Sequence, residues 1–415
     1  MTEKRVVVTG VATINPLGND VDTSWERLIA GESGIGPITQ FDATELSSQI
    51  AGEVKDFNAA DHIPAKQARR MDRFVQLGVA CSLQLMENSE YKITDENAKR
   101  VGVMLGVGLG GLNTIEAFHT KLTSAGPNKI SPFWIPMLIS NMAPGQVSIF
   151  TGAKGPNLVF TSACASGTHA IGHAFEEIKT GRCDAVITGG VESTITPMGV
   201  SGFTALKALC SNRNDEPTKA SRPFDGERSG FIIGEGAGLV MLESLESAQA
   251  RGAKIYAEVV GFGSTGDAFH MTAPREDSEG MAQSMINAIE EAGISKDAVD
   301  CINAHGTSTS LNDKAETQAM KIVFGDHAYK LRVSANKSQT GHLLGAAGGM
   351  EGVFSCLTLD KGIVPGTANY ETPDPDCDLN YMGNGSEEYQ AEYVLSNNFG
   401  FGGTNASVLF KKYHG

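Results

Sequence analysis

The sequence predicts an α/β protein of two similar halves, each a sheet layered with helices. Three observations carry that prediction. Short runs rich in Val and Ile alternate with longer segments whose apolar residues recur at i, i+3, i+4 and i+7, the pattern of strands joined by helices in mostly parallel, mixed sheets. The alternation restarts near residue 253, where residues 255–261 echo residues 5–10. Each half also closes on a glycine turn that runs into a strand, at 234–242 and again at 398–410. At 415 residues the chain exceeds what one simple core organises, so a duplicated unit divided as 1–252 and 253–415 is expected.

Taken in order, residues 5–10 form the first strand, and a helix follows near 22–30, capped by Asp22 or Thr23. Residues 66–73 are the most basic stretch and open a helix that continues through Val75, Leu77, Val79, Ala80 and Leu83. They read either as a solvated helix start or as a docking patch for an acidic partner. A buried strand is expected at 100–105. Gly106, Gly108 and Gly111 then match G-x-G-x-x-G formally. No acidic residue stands about 20 positions on to hold a ribose, so a dinucleotide site is rejected. These glycines instead let the backbone pass close to another chain or a ligand. Pro132, Pro136 and Pro144 make 128–155 an irregular segment with a short helix.

An extended run at 157–160 leads into Thr161-Ser162-Ala163-Cys164-Ala165-Ser166-Gly167. Ile171, Ala174, Phe175 and Ile178 stripe the helix behind it, Gly181 caps that helix, and a short strand follows at 185–188. Residues 199–209 are apolar, 221–225 form a turn-rich loop, and 234–242 read as a glycine hairpin feeding a central strand. The second half reads as strand 255–261, helix 279–292, strand 299–304, helix 313–324 ending at Gly325, and strand 331–334. A glycine-rich turn then enters a helix at 343–359, and the last strand is 406–410.

Composition narrows the function classes. Apolar residues at 41% and charged residues at 20% describe an ordinary globular protein. A net charge of −15 excludes a general nucleic-acid surface. No apolar run is long enough to span a bilayer, and the first residues pass straight into a strand without the apolar region of an export signal. The seven cysteines show no paired spacing and no His-rich neighbours. They read as free thiols in a reducing cytoplasm, without structural zinc.

Cys164 stands on a tight strand-to-helix turn among small residues. A helix N-terminus offers free N–H groups and partial positive charge, which lower a thiol's pKa and make it a nucleophile. A small buried apolar cysteine fits the motif equally well. Two histidines bear on the choice. His305 follows a strand in Asn303-Ala304-His305-Gly306-Thr307-Ser308-Thr309, and His342 stands at a turn entering a helix in 337–348. Singly, each fits a structural histidine. Together with Cys164 they occupy the C-terminal ends of strands, where ligands gather in open α/β sheets. A cysteine hydrolase needs one histidine and an orienting acid or amide. Two histidines with Lys337 nearby and no evident acid suit carbanion chemistry better.

These motifs, with Val8-Thr9-Gly10, Ser221-Arg222-Pro223-Phe224-Asp225 and 398–405, resemble the β-ketoacyl-[acyl-carrier-protein] synthases of the thiolase superfamily along the whole chain. Within that family the chain looks like the elongating second-type synthases of bacterial fatty-acid synthesis. The resemblance implies a thiolase-like α-β-α-β-α layering of two similar halves, a homodimer, and an acyl carrier protein as partner. It implies that Cys164 carries the acyl chain, and that the N–H groups of Cys164 and Phe401 form an oxyanion hole. His305 and His342 would bind the malonyl thioester oxygen, Lys337 would support them, and Phe401 would act as a gate made mobile by Gly400 and Gly402. Thr307 and Thr309 would bind the phosphopantetheine arm, while Leu109 and Phe203 would line the acyl tunnel; Gly402 is counted with the substrate-binding residues.

Asn303, Glu351, Ser396 and Asn397 match a site for structural Na⁺ or K⁺; Glu351 also reads as a buried ion-pair carboxylate. The chemistry itself needs no cofactor. Lys66, Arg69, Arg70, Lys129, Lys207 and Arg213 are the candidate docking cations. A degradative thiolase would use a second cysteine as base where this chain has His342, and third-type synthases pair Cys and His with Asn. A ketosynthase of polyketide or other secondary metabolism is the alternative. The presence of Cys164, His305, His342 and Lys337 argues against a non-catalytic chain-length factor.

Overall fold

The computed structural model describes residues 3–415. The first half contributes β1 (Val6–Ile14), α1 (Arg73–Ser89), β2 (Val101–Gly106), α2 (Met142–Thr151), β3 (Asn157–Phe160), α3 (Ser166–Lys179), β4 (Ala185–Glu192) and β5 (Gly236–Ser244). The second contributes β6 (Ala257–Gly266), α4 (Glu279–Glu291), β7 (Cys301–Asn303), α5 (Ser310–Phe324), β8 (Arg332–Ser334), α6 (Ala347–Lys361), β9 (Tyr393–Gly400) and β10 (Thr404–Lys411).

Strand order is β3-β2-β4-β5-β1 in the first half and β8-β7-β9-β10-β6 in the second. Each half thus arranges its third, second, fourth, fifth and first strands in the same sequence. Val6–Val8 of β1 pair antiparallel with Ala257–Val259 of β6 and join the halves. Parallel pairing is confined to the three outer strands of each half. The remaining pairs are antiparallel, so the sheets are mixed with a smaller parallel share than strand–helix alternation alone implies.

Side-chain alternation along the strands builds separate cores on the two faces of a sheet. Met104, Val240 and Leu242 face α3 and α6, packing with Ile171, Phe175, Met350 and Phe354 and with Val394, Val408 and Phe410 of the other half. Their neighbours Val103, Leu105, Leu239 and Met241 point the other way, onto Leu77 and Leu85 of α1. On the far side, Met285 and Ile289 of α4 and Met320 and Val323 of α5 cover Ile302, Val333, Leu395 and Leu409. The result is five layers, with α3 and α6 in the middle. Close approach of α6 to β5 requires glycine: a Cβ at Gly238 would stand 2.2 Å from the Met350 nitrogen.

Local differences from the sequence reading have local causes. The first helix begins at Val21, because Asp20 rather than Asp22 or Thr23 accepts the Thr23 N–H as its cap. Residues 134–151 hold two helices, Trp134–Leu138 and α2, since Pro144 falls in the first turn of α2 where no N–H is needed. Gly236 and Gly238 lie inside β5 instead of forming a hairpin. Tyr393–Gly400 is a full strand, so the closing glycine turn is the tip of a β9–β10 hairpin. Among the described residues no helix is long and apolar enough to cross a membrane. All seven cysteines are free.

Candidate active site

The C-terminal ends of β3, β7, β8 and β9 converge, and each delivers one functional group. Cys164 lies between β3 and α3, His305 directly follows β7, His342 follows β8 through the short helix Lys337–Thr340, and Phe401 opens the β9–β10 turn. One ligand atom from each of Cys164, His305 and His342 lies within 4.8 Å of the others. The His342 Nε2 is 3.0 Å from the Cys164 Sγ, and the imidazole centroids are 5.3 Å apart.

The turn before Cys164 is strained. Ala163 has φ 51°, a left-handed conformation costing roughly 1–2 kcal/mol without glycine. Ser166 holds it: its hydroxyl accepts from the Ser162 N–H at 2.9 Å and donates to the Ala163 carbonyl at 2.6 Å. Backbone N–H groups of Phe401 and of Cys164 itself favour the thiolate, as does the Lys337 cation. Burial outweighs them and pushes the thiol up to about 12, so the lowered pKa expected from a helix N-terminus is not what this site provides. Cys164 therefore rests as a thiol. Gly400 permits the approach of the Phe401 turn, because a Cβ there would meet the Ser162 carbonyl oxygen at 2.8 Å and the Cys164 nitrogen at 3.1 Å.

Both histidines are neutral. Burial, and then the Lys337 charge, hold each imidazole well below its ordinary pKa. The Leu344 N–H donates to His342 Nδ1 at 3.2 Å, which leaves the proton of the neutral ring on Nε2, facing Cys164. Asn398 Nδ2 approaches His305 Nδ1 at 3.4 Å while donating to Glu351 Oε2 at 2.7 Å. Lys337 is paired with Glu351, both fully buried. The buried ion-pair reading of Glu351 therefore holds for one carboxylate oxygen, and Asn398 takes the other.

A cavity of about 300 Å³ opens over these groups, lined by Cys164, His305, His342, Phe203, Thr307, Thr309 and Phe401 among others. The Thr307 and Thr309 hydroxyls are 2.9 Å apart. Their loop is held by the buried Asp313 carboxylate, which accepts from the N–H groups of Thr307 and Ser308 at 3.1 Å each. Two expected residues lie elsewhere. Leu109 is 53% exposed and outside the lining, and Gly402 uses its N–H on the Met271 carbonyl at 2.8 Å.

The four residues of the cation motif are buried together. Asn303 Oδ1 and Ser396 Oγ have no hydrogen-bond partner, a donor set that fits a monovalent cation. Of the docking cations, Lys66, Arg69, Arg70, Lys129 and Lys207 are exposed, and Lys207 stands at the cavity rim. Arg70 stacks 4.3 Å from the Phe133 ring centroid. Arg213 is already paired with Glu227 at 2.6 Å and Glu216 at 3.6 Å, which removes it from the free cations.

Sequence reasoning missed three buried acids. Glu316 accepts the His305 and Gly306 N–H groups at 2.8 Å each, and Asp313 holds the neighbouring loop. Both are acids on the buried face of an amphipathic helix, which is a readable signal. Glu192 ends the apolar strand β4 and accepts from backbone at two turns. Burial pushes both Glu192 and Glu316 up to about 7.

The chain matches the β-ketoacyl synthase N-terminal domain over residues 3–248 and the corresponding C-terminal domain over 256–371. It is 49% identical over 410 residues, 99% of either chain, to 3-oxoacyl-[acyl-carrier-protein] synthase 2 of Staphylococcus aureus strain N315. A β-ketoacyl synthase crystal structure from Burkholderia phymatum superposes with a TM-score of 0.92 at 36% identity, covering 99% of this chain and 100% of that one. A type II polyketide ketosynthase solved in complex with its acyl-carrier protein gives a TM-score of 0.91 at 31% identity, with 99% and 100% coverage.

Proposed function

The chain belongs to the β-ketoacyl synthase family, and from that premise we propose the reaction its site carries out: decarboxylative condensation of an acyl group on Cys164 with a malonyl unit borne on acyl carrier protein. The enzyme is an elongating 3-oxoacyl-[acyl-carrier-protein] synthase of fatty-acid synthesis, an acyltransferase. The convergence of the Cys164 Sγ with two neutral imidazoles carries the mechanistic reading.

In the first half-reaction the Cys164 sulfur attacks the acyl thioester. The Phe401 and Cys164 N–H groups hold the tetrahedral oxyanion, and the carrier thiol leaves with the thiol proton. In the second, the bond from the malonyl carbon to its carboxylate breaks, CO₂ departs, and the electron pair becomes a thioester enolate. The Nε2–H groups of His305 and His342 bind the enolate oxygen, where they act most strongly as charge develops. The enolate carbon attacks acyl-Cys164, the product 3-oxoacyl carrier leaves, and the thiolate takes a proton from solvent.

Lys337 contributes charge rather than a proton. The cavity lining supports Thr307 and Thr309 as contacts for the phosphopantetheine arm, Phe203 as a wall for the acyl chain, and Phe401 as the gate between them. Intact-mass measurement should find an acyl adduct on Cys164 after incubation with acyl carrier protein bearing a mid-length chain, and CO₂ release from malonyl carrier protein. Folded protein that shows neither rejects this function. Mid-length fatty-acyl carriers turning over no faster than polyketide intermediates would instead support the secondary-metabolite reading, which the polyketide relative keeps in view.

The exposed cations Lys66, Arg69, Arg70, Lys129 and Lys207 are the docking surface for the acidic carrier. Charge reversal of Arg69 and Lys207 should raise the carrier-substrate KM several-fold with little change in kcat, roughly 1 kcal/mol of lost steering; an unchanged KM removes the patch assignment. A homodimer is the assembly. The free edge of β3, where Leu158 is 48% exposed, and the exposed Leu109, Ile135 and Ile139 support it as surfaces a second copy would cover. Asn303 and Ser396 would hold Na⁺ or K⁺ as a structural ion that supplies charge for their unpartnered oxygens. Sedimentation at the mass of one chain, or an unfolding midpoint identical in potassium and choline buffers, would remove the respective assignment. The free thiols suit a cytoplasmic location.

A further inference from the structure

The glycine turn after β2 and the turn after His342 touch each other. A Cβ on Gly345 would stand 2.2 Å from the Gly108 nitrogen, and one on Gly108 would stand 2.4 Å from Glu192 Oε2. Glu192, fully buried at the end of β4, lies between the two turns. Its carboxylate accepts from the N–H groups of Gly108 at 2.7 Å, Leu109 at 3.2 Å and Gly110 at 3.2 Å on one side. On the other side it accepts from Gly345 at 3.2 Å. The segment that formally matches G-x-G-x-x-G is therefore a nest for a carboxyl group the protein carries itself.

The second turn is strained at one residue. Leu344 has φ 50° without being glycine, a conformation that persists only when its surroundings impose it. Its N–H is the group that donates to His342 Nδ1. The next amide along the chain, that of Gly345, is the one Glu192 holds. We propose that Glu192 is a positioning residue for condensation: by pinning the Gly345 amide it keeps Leu344 in its left-handed conformation, so that the Leu344 N–H occupies His342 Nδ1 and the ring presents Nε2–H to the reacting oxygen. The inference rests on the condensation reading for its kinetic consequence but not for its structural one.

Two readouts test it. In histidine-¹⁵N-labelled wild type, with the His342 signal assigned by its loss in His342→Asn, the ring nitrogens should show the Nε2–H tautomer. In Glu192→Gln, whose NH₂ cannot accept from the backbone N–H groups it would face, the clamp on the two turns loosens and the tautomers should mix. Malonyl carrier decarboxylation should fall about ten- to a hundredfold in that variant, part of the loss seen when one oxyanion donor is removed outright. Cys164 acylation should fall at least tenfold less, because the amides of Cys164 and Phe401 also support that step.

Equal losses in both half-reactions, or an unchanged tautomer, would overturn the proposal, as would an Nδ1–H tautomer in wild type. Glu192→Asp, one methylene shorter, should shift the same tautomer ratio in the same direction and serves if Glu192→Gln does not fold. The wild-type tautomer needs no variant at Glu192, and failure of the condensation reading would show separately as wild type without decarboxylation.

Discussion

Cys164→Ala loses the acyl adduct and at least about 10⁴ in condensation rate, the scale on which removing a nucleophile acts, while malonyl decarboxylation survives within about tenfold. The asymmetry follows from the division of labour in the site. The methyl group of alanine removes the only atom that can carry the chain, yet it leaves the two imidazoles and Lys337 in place. The Leu344 N–H still fixes the His342 tautomer, and burial with the Lys337 charge still keeps both rings neutral. Intact-mass spectrometry and CO₂ release read the two effects separately. Parallel loss of decarboxylation would mean that Cys164 takes part in enolate formation and that the histidines do not act alone.

Lys337→Met costs about 3–5 kcal/mol of stability, because it leaves the Glu351 carboxylate buried without its cation. Urea unfolding measures it. The double variant Lys337→Met/Glu351→Leu removes both charges and should recover most of that loss, short of the part that comes from depriving Asn398 Nδ2 of its acceptor.

Activity should not recover. Lys337 is the chief counterweight to burial at the Cys164 thiol and helps keep His305 and His342 neutral, so decarboxylation stays down by about 10²-fold in single and double variants alike. A double variant that regains both stability and rate would make the pair structural only. The comparison separates what holds the protein together from what runs its chemistry, since one ion pair does both.

The residues proposed to run the chemistry were legible because that chemistry is tied to local grammar. A nucleophile on a strand-to-helix turn needs small neighbours, and donors at strand ends need glycine or threonine beside them. Cys164, His305 and His342 are visible in that way, whereas Thr307 and Thr309 entered only through the family resemblance. The residues that hold them were harder to see. Glu192 looks like the polar end of an apolar strand, and Glu316 like one more acid on a helix. Only the folded chain shows that Glu192 caps backbone amides of two segments far away in sequence, and that Glu316 turns back onto the His305 and Gly306 amides in the loop before its helix. Leu109 was read as a tunnel wall, but in the single chain it stands at the surface, which ties its expected role to what covers it. Arg213 has the sign of a docking cation and is consumed by Glu227 and Glu216, a pairing that depends on loop geometry.

By itself, the order of residues determined the layered α/β class and the duplication, and it singled out Cys164, His305 and His342 as candidate reacting groups. Period, capping and catalytic turns are short-range properties, expressed within a few residues. Tertiary structure alone decided the balance of forces at the site. Burial overrides the helix terminus and keeps Cys164 a thiol, the Lys337 charge beside buried rings keeps His305 and His342 neutral, and Glu192 locks two remote turns together. Those are effects of desolvation and of charges brought close by folding, and neither depends on separation along the chain.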